Sequence, residues 1–210
     1  MVMNNIEIVA SIATAFIVST LGPAVVEWVK AKLATESPKD VVKNELAKSC
    51  VINQEIEIVL DTIHADRVWI AQFHNGGKFL HSTKSIQKFS IFHEITAVGI
   101  APIAHTFRNI PASLYSRAFD ELLKNGSIFI SDYKDETVAT FGLKGGAEAV
   151  GTKSCYMFAL FNMGTNEFIG VIGIDWVARP KALKQEQISY LSAEANRLSG
   201  YISNFIYDEK

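Results

Sequence analysis

Cysteine is scarce in this 210-residue chain, which contains only Cys50 and Cys155, and proline occurs five times. Two cysteines so far apart provide neither a disulfide framework nor the short spacing of a zinc site, and free thiols suit a reducing compartment. Net charge is also nearly absent, since 20 basic and 22 acidic residues leave a formal charge of −2. The chain lacks the basic excess typical of nucleic-acid-binding proteins, so no nucleic-acid partner is predicted.

Charged side chains are missing altogether from residues 8–26, an apolar run of nearly the length that a helix needs to cross a bilayer. Trp28 follows where an interfacial aromatic residue is expected. Five lysines lie between residues 30 and 48, whereas no lysine or arginine precedes the run. By the positive-inside rule, the residues after 30 lie in the cytoplasm. We therefore predict a single-pass membrane anchor with its juxtamembrane segment in residues 1–36, followed by one domain in residues 37–210.

Two alternatives remain open for the apolar run. A cleaved signal peptide normally begins with positive charge, which residues 1–5 lack. A hydrophobic helix that packs inside a protein assembly is also compatible with the moderate hydrophobicity and the many alanines of the run.

Aromatic and β-branched residues dominate two neighbouring segments near the C-terminus, Ser154–Asn162 and Phe168–Trp176. The connection between them is short and polar and contains a glycine, which predicts a β-hairpin. Because both segments are apolar almost throughout, we expect this hairpin to lie inside a sheet with both faces covered. Gly170 predicts a close approach of another backbone or of a ligand, since glycine has no side chain.

The remaining elements are predicted from apolar periodicity and turn residues. Strands are expected at Arg67–His74, at Ile86–Phe92 with His93 and Glu94 closing it, and at Ser127–Ser131. Residues 95–107 are compatible with a helix or with a strand and loop. A helix is expected to begin near Asn109 and to end at Asn125-Gly126, and residues 137–150 are compatible with a frayed helix over a pocket mouth. Long amphipathic helices are predicted at residues 41–64 and 183–206, each packing on the sheet or against a second copy of the chain, which predicts a homodimer.

Polar side chains concentrate around the first two predicted strands. They are His74, Asn75, His81, Lys84, Gln87, Lys88, His93 and Glu94. Such a set can hold a polar or anionic ligand, although polar residues between strands more often form turns and face water. No metal site is predicted, because the histidines form no closely spaced ligand pair.

The order of the predicted elements resembles that of GAF domains, a ligand-sensing family related to PAS domains, across roughly Ser37 to Tyr207. The matching features are Arg67–Ile70 as the first strand, Gly126–Asp132 as a helix-to-strand step, Gly151–Ser154 leading into the hairpin, and Ile169–Ile172 in its second strand. The resemblance implies an α+β fold with a central antiparallel sheet of five or six strands and flanking N- and C-terminal helices. It also implies helices on one sheet face and a ligand cavity on the other.

Carried over by position, the resemblance implies a cavity lined by Phe73, His74, Phe89, Ile91, His93, Ser131, Asp132, Tyr156 and Asp175. Asn75, from the polar cluster, completes the set of candidate ligand-binding residues. The chain lacks the Asn-Lys-x-x-x-Phe-x-x-x-Asp-Glu signature of cyclic-nucleotide-binding members and the Cys-His pair of bilin-attaching members. The identity of any cofactor or ligand is therefore unknown from the sequence.

Three functions are compatible with these features. The first is a membrane-anchored sensory or regulatory module that binds a small molecule and acts through dimer helices or a separate partner, since no effector segment follows Tyr207. The second is a non-catalytic scaffold, on a membrane or in a virus particle, with a degenerate pocket. The third is a thiol-based redox enzyme with Cys155 as the nucleophile, in which His74 or His93 works with Asp175 as acid and base.

Overall fold

The computed structural model describes residues 38–78 and 84–206. The chain divides into two compact units, Met1–Leu46 and Ala47–Lys210, and the fold below is that of the second unit, with residues 38–46 included because the first helix begins there. The predicted anchor in residues 1–36 lies outside the described residues, as does His81. Among the helices within the described ranges, none is both long enough and apolar enough to cross a bilayer. The predicted domain boundary after residue 36 stays a prediction.

A six-stranded sheet forms the centre of the domain. Its strands are β1 (Arg67–Lys78), β2 (Ser85–Thr96), β3 (Ile110–Pro111), β4 (Ser127–Ile130), β5 (Ser154–Phe161) and β6 (Phe168–Trp176). They lie in the order β3-β2-β1-β6-β5-β4, and every neighbouring pair is antiparallel. Because β6 lies between β1 and β5, the predicted interior hairpin is confirmed.

Helices flank this sheet, and the two long ones lie where the apolar periodicity predicted them, whereas the helix expected from Asn109 begins at Ser116. They are α1 (Pro38–Ile63), a 3-10 turn (Ala112–Tyr115), α2 (Ser116–Asn125), α3 (Lys144–Ala149) and α4 (Gln185–Ile206). Helix α2 ends at Gly126, which has a φ of 75° and donates its N–H to the Leu122 carbonyl. Positive φ is costly for other residues, which explains the glycine. The α+β class and the six-stranded sheet with flanking helices are confirmed.

Strand alternation divides the interior into two layers on opposite faces of the sheet. On β1, Val68 and Ile70 face α1 and α4, whereas Trp69 and Ala71 face the other side. The layer between the sheet and these two helices contains the buried apolar faces of both. The helical residues in it are Ile52, Ile56, Val59, Leu60 and Ile63 of α1 and Leu191, Ala195, Leu198 and Ile202 of α4. The apolar periodicity of both helices is therefore used inside this domain, and its use in a dimer stays a prediction.

Two glycines of β6 allow β1 to pack very closely. A β-carbon at Gly170 would lie 2.4 Å from the carbonyl oxygen of Ala71, so the close approach predicted there is made by backbone. A β-carbon at Gly173 would lie 2.1 Å from the indole ring of Trp69. The indole thus occupies the space that a side chain at position 173 would need, which positions Trp69 on the face opposite α1 and α4.

Candidate functional site

A cavity of about 80 Å³ lies on the sheet face opposite α1 and α4. The sheet forms its floor, and α2, α3 and the segment 97–107 supply its other walls. The lining consists of Trp69, Ala71, Phe89, Ile91, Ile103, Phe107, Tyr115, Ala118, Phe119, Leu122, Tyr133, Leu143, Gly146, Ala147, Val150, Thr152, Cys155, Met157, Val171 and Asp175. Apolar side chains with a few polar groups are the usual lining of a ligand site, although most such sites are larger than this cavity.

Aromatic rings form one wall of the cavity. The ring of Phe89 makes edge-to-face contacts with Tyr115 and Phe119, each with 5.4 Å between ring centroids. Phe73 extends the cluster beyond the cavity, with its ring 5.0 Å from Phe119 and 4.9 Å from Phe168. Each such pair contributes roughly 0.5–1.5 kcal/mol beyond its buried area, so this wall is held firmly.

Polar side chains also border the cavity: Trp69, Thr152 and Asp175 are among its lining residues, and Arg67, which does not line it, bonds to two of them. We call these four residues the polar corner. Arg67 donates from Nε and Nη2 to Oδ2 of Asp175, at 3.0 and 2.8 Å. Nη2 also donates to Oγ1 of Thr152 at 2.8 Å, and Trp69 Nε1 donates to Asp175 Oδ2 at 3.2 Å. Arg67 is 1% exposed and Asp175 is 3% exposed, so this ion pair is held away from bulk water.

Arg67 also holds the segment that covers the cavity. Its Nη1 donates to the carbonyl of Ala101 at 3.1 Å. Glu94, at the end of β2, accepts the backbone N–H groups of Ile103 and Ala104 at 2.7 and 2.8 Å, and its Oε1 lies 4.0 Å from Arg67 Nε. Side chains from β1 and β2 therefore position the segment 97–107 over the sheet.

Two further ionisable side chains lie beside the polar corner. Burial raises the pKa of the Cys155 thiol well above its usual value, and the neighbouring Asp175 carboxylate raises it further. Burial likewise raises the pKa of the Tyr133 hydroxyl far above its usual value. Both groups are therefore protonated at neutral pH. A protonated, buried thiol is a poor nucleophile, because the thiolate is the reactive form.

Three of the ten candidate residues from the sequence line the cavity: Phe89, Ile91 and Asp175. Phe73 faces the same side, where it joins the aromatic wall without lining the cavity. The structure therefore brings four of the ten predicted positions together on this sheet face.

Tyr156 and His93 face the helices, and the prediction that they line the cavity is wrong. Tyr156 follows Cys155, which faces the cavity, so strand alternation turns it to the other face; there its hydroxyl accepts the Leu183 N–H at 2.9 Å. His93 should share a face with Ile91, two residues before it. A bulge in β2 skips Phe92, because Ile70 pairs with His93 whereas Ala71 pairs with Ile91, and the bulge inverts the alternation.

His93 and His74 consequently make other contacts. His93 Nδ1 lies 3.0 Å from Asn53 Oδ1 on α1, and burial lowers the pKa of this histidine. His74 Nε2 lies 2.9 Å from Ser90 Oγ. Neither histidine lies among the lining residues that include Cys155 and Asp175. The arrangement required by the redox hypothesis is therefore not assembled around Cys155.

The other three candidates also lie off the cavity lining. Asn75 is exposed and accepts hydrogen bonds through Oδ1 from Ser85 and Gln87. Ser131 and Asp132 are half-buried residues that follow β4, and Asp132 forms a turn by accepting the Lys134 N–H at 2.8 Å. Turn formation is the common role of such polar residues after a strand. Ligand binding by the candidate residues stays a prediction.

Sequence reasoning missed most of the polar corner. The sequence pattern identifies Arg67 and Trp69 only as strand residues and Thr152 only as part of a connection. One signal was available, because Arg67 begins one apolar strand and Asp175 interrupts another. A lone charge inside an apolar strand usually has a partner of opposite sign.

No family model and no curated protein matches the chain. Solved structures do match. A far-red cyanobacteriochrome photoreceptor is 12% identical with a TM-score of 0.60, covering 90% of this chain and 100% of the other. A phycocyanobilin-bound GAF domain from a cyanobacterial phytochrome is 16% identical with a TM-score of 0.60, covering 81% and 92%. The GAF domain region of a Geobacter sulfurreducens protein is 15% identical with a TM-score of 0.55, covering 78% and 97%. At these identities the likeness shows the fold, so the domain has the GAF fold.

Proposed function

We propose that this protein is a sensory or regulatory GAF-like module that binds a small molecule in the cavity bounded by the sheet, α2 and α3. The observation that carries the proposal is the cavity itself, which is lined mostly by apolar side chains and is bordered by the buried Asp175 carboxylate. A structural neighbour holds phycocyanobilin, which supports ligand binding as a use of this fold. A tetrapyrrole is far larger than the 80 Å³ available here, so the ligand of this chain is a smaller molecule.

Native mass spectrometry of the full chain tests ligand binding. We expect an adduct or a ligand released on unfolding, and we expect Ala147→Leu to abolish it. Ala147 is buried and lines the cavity, so a leucine there fills space that the ligand needs. Ala149 is exposed two residues later on the same helix, and Ala149→Leu is the matched control that should retain the ligand.

Two outcomes contradict the proposal. If both variants retain the ligand equally, the ligand lies elsewhere. If no small molecule accompanies the wild-type chain and none from a metabolite screen raises its unfolding temperature, the scaffold hypothesis is favoured. Cooperative thermal unfolding of both variants confirms that the comparison is made between folded proteins.

We also propose that residues 1–36 anchor the module in a membrane, with the residues after 30 on the cytoplasmic side, and that the helices at residues 41–64 and 183–206 form a homodimer. The uncharged run 8–26 and the lysines that follow it support the anchor. Ile58, which is 51% exposed on α1, supports a further contact for that helix. A signal would then pass through these helices.

An alkaline wash of isolated membranes tests the anchor and the assembly together. The full chain is expected to stay with the membranes and, after extraction in detergent, to sediment at the mass of two chains. Release of intact protein by the wash contradicts the anchor, because a spanning helix resists such treatment. Sedimentation as a single chain contradicts the dimer, whatever the wash shows.

A further inference from the structure

Asp175 supplies the only charged side chain among the described residues that line the cavity. All four N–H and O–H contacts to its carboxylate reach Oδ2, from Nε and Nη2 of Arg67, Nε1 of Trp69 and Oγ1 of Thr152. The Cys155 thiol is a further, weak donor to this carboxylate, and no N–H or O–H group of the described residues reaches the other oxygen, Oδ1. A 97% buried carboxylate thus has one oxygen without such a donor, on a residue that borders the cavity.

We propose that the ligand is a neutral molecule, no larger than about one aromatic ring, that donates an O–H or N–H hydrogen bond to Oδ1 of Asp175. The inference rests on the proposed function, because it names the ligand class of the same cavity. A buried acceptor without a full set of donors costs free energy, and a hydrogen bond to a charged acceptor is stronger than one between neutral groups. A donor-bearing ligand is therefore favoured over an apolar molecule of the same shape.

The charges around the polar corner exclude an anionic ligand. The Arg67 guanidinium is occupied by Asp175, Thr152 and the carbonyl of Ala101, and Glu94 adds a second carboxylate 4.0 Å away. No lysine or arginine lies among the described lining residues. An anion would bring a third negative charge into this region without a partner, which is costly in a poorly solvated site.

A cationic ligand is disfavoured by the rest of the lining. Asp175 is already paired with Arg67 at 2.8 Å, and the groups that would surround a ligand beyond the polar corner are aromatic and aliphatic. Arg67 leaves one of the two carboxylate charges unbalanced, but Glu94 is not a lining residue and both its oxygens accept backbone N–H groups. A cation in the cavity would therefore lose its hydration and gain only a share of the Asp175 carboxylate, which Arg67 already pairs. Neutral donors avoid this cost.

The size of the cavity sets the upper limit on the ligand. An engineered apolar cavity of about 150 Å³ binds benzene. The cavity here measures about 80 Å³, roughly half of that volume, so nothing larger than a single ring fits without displacing a wall. Nucleotides and tetrapyrroles exceed this limit by a wide margin.

Four one-ring probes test the inference on the full chain: phenol, fluorobenzene, benzylammonium and benzoate. Phenol and fluorobenzene have nearly the same shape, but only phenol donates a hydrogen bond. Hydrophobicity alone favours fluorobenzene. We expect phenol to bind about tenfold more tightly than fluorobenzene in ligand-observed NMR titrations at pH 7. Benzylammonium and benzoate are each expected to bind at least about tenfold more weakly than phenol. Ala147→Leu should remove phenol binding, whereas Ala149→Leu should retain it.

Each contrary result has a distinct meaning. Fluorobenzene binding as tightly as phenol overturns the role of Oδ1 and leaves the cavity as a ligand site. Tightest binding of benzoate or benzylammonium overturns the neutral class. Phenol binding that survives Ala147→Leu overturns the location. If none of the four probes binds, the inference fails, whereas the proposed function is decided separately by native mass spectrometry of the purified chain.

Discussion

Replacing Arg67 with methionine is expected to lower the free energy of unfolding by about 3–5 kcal/mol, because it leaves the Asp175 carboxylate buried without its cationic partner. Arg67 is 1% exposed and makes hydrogen bonds to Asp175, Thr152 and the Ala101 carbonyl. Urea denaturation followed by far-UV circular dichroism measures the loss.

A surface arginine provides the matched control for this substitution. Arg197 bonds to Glu55 and Glu194, and its side chain is 43% exposed. Arg197→Met is therefore expected to cost only about 0–1 kcal/mol, since ion pairs near the surface are well solvated. Equal losses for the two arginine variants would contradict the account of Arg67 as a buried, compensated charge.

A double variant measures how strongly the contributions of Arg67 and Asp175 to the free energy of unfolding depend on each other. Arg67→Met combined with Asp175→Leu is expected to cost clearly less than the sum of the two single changes, because the double variant no longer buries the Asp175 carboxylate without its cationic partner. Additive losses would show that Arg67 and Asp175 stabilise the domain independently. The same double variant should lose the preference for phenol over fluorobenzene.

Cys155 is expected to react with a thiol-specific reagent at least about 10³-fold more slowly than Cys50 in the folded protein, since reaction requires unfolding that costs several kcal/mol. Cys155 is 3% exposed and the pKa of its thiol is raised by burial, whereas Cys50 is exposed. Stopped-flow labelling with a chromogenic disulfide at pH 7.5 measures both rates.

Single-thiol variants make the comparison of the two cysteines direct. Cys50→Ser leaves only Cys155, and Cys155→Ser leaves only Cys50. Both variants should label at similar rates in concentrated urea, which shows that the protection of Cys155 comes from the fold. Labelling of Cys155 at the Cys50 rate under native conditions would instead favour the thiol-based redox hypothesis, because a reactive thiol must be accessible and ionised.

Elements with strong periodicity could be predicted from the sequence. The hairpin was recognised from its nearly continuous apolar strands, and the structure places both strands inside the sheet. The helix stop at Gly126 was recognised from the Asn-Gly pair, and the residue adopts the left-handed conformation. These features depend on neighbours in the sequence, so local chemistry determines them. Segment 97–107 has no such pattern, and its turns depend on the side chains of Arg67 and Glu94.

The candidate site shows why local patterns were not enough. Alternation along β2 is interrupted by one bulge at Phe92, which moves His93 to the helix face. Such a bulge depends on how two strands pair, and the residues around position 92 contain no pattern that predicts it. Tyr156 was misplaced for a simpler reason, since a strand buried on both faces has no polar side to show which way each residue points.

The sequence by itself determined the interior hairpin and the two long amphipathic helices, because each follows from the spacing of apolar residues along a short stretch of chain. The α+β class followed from the resemblance of the element order to GAF domains. Only the tertiary structure decided the polar corner. Arg67 and Asp175 are separated by 108 residues, and they meet because β1 and β6 pair in the register that places them opposite one another. The ligand class proposed for the cavity depends on this contact. Arg67 pairs with Oδ2 of Asp175, which leaves Oδ1 able to accept a hydrogen bond from a ligand.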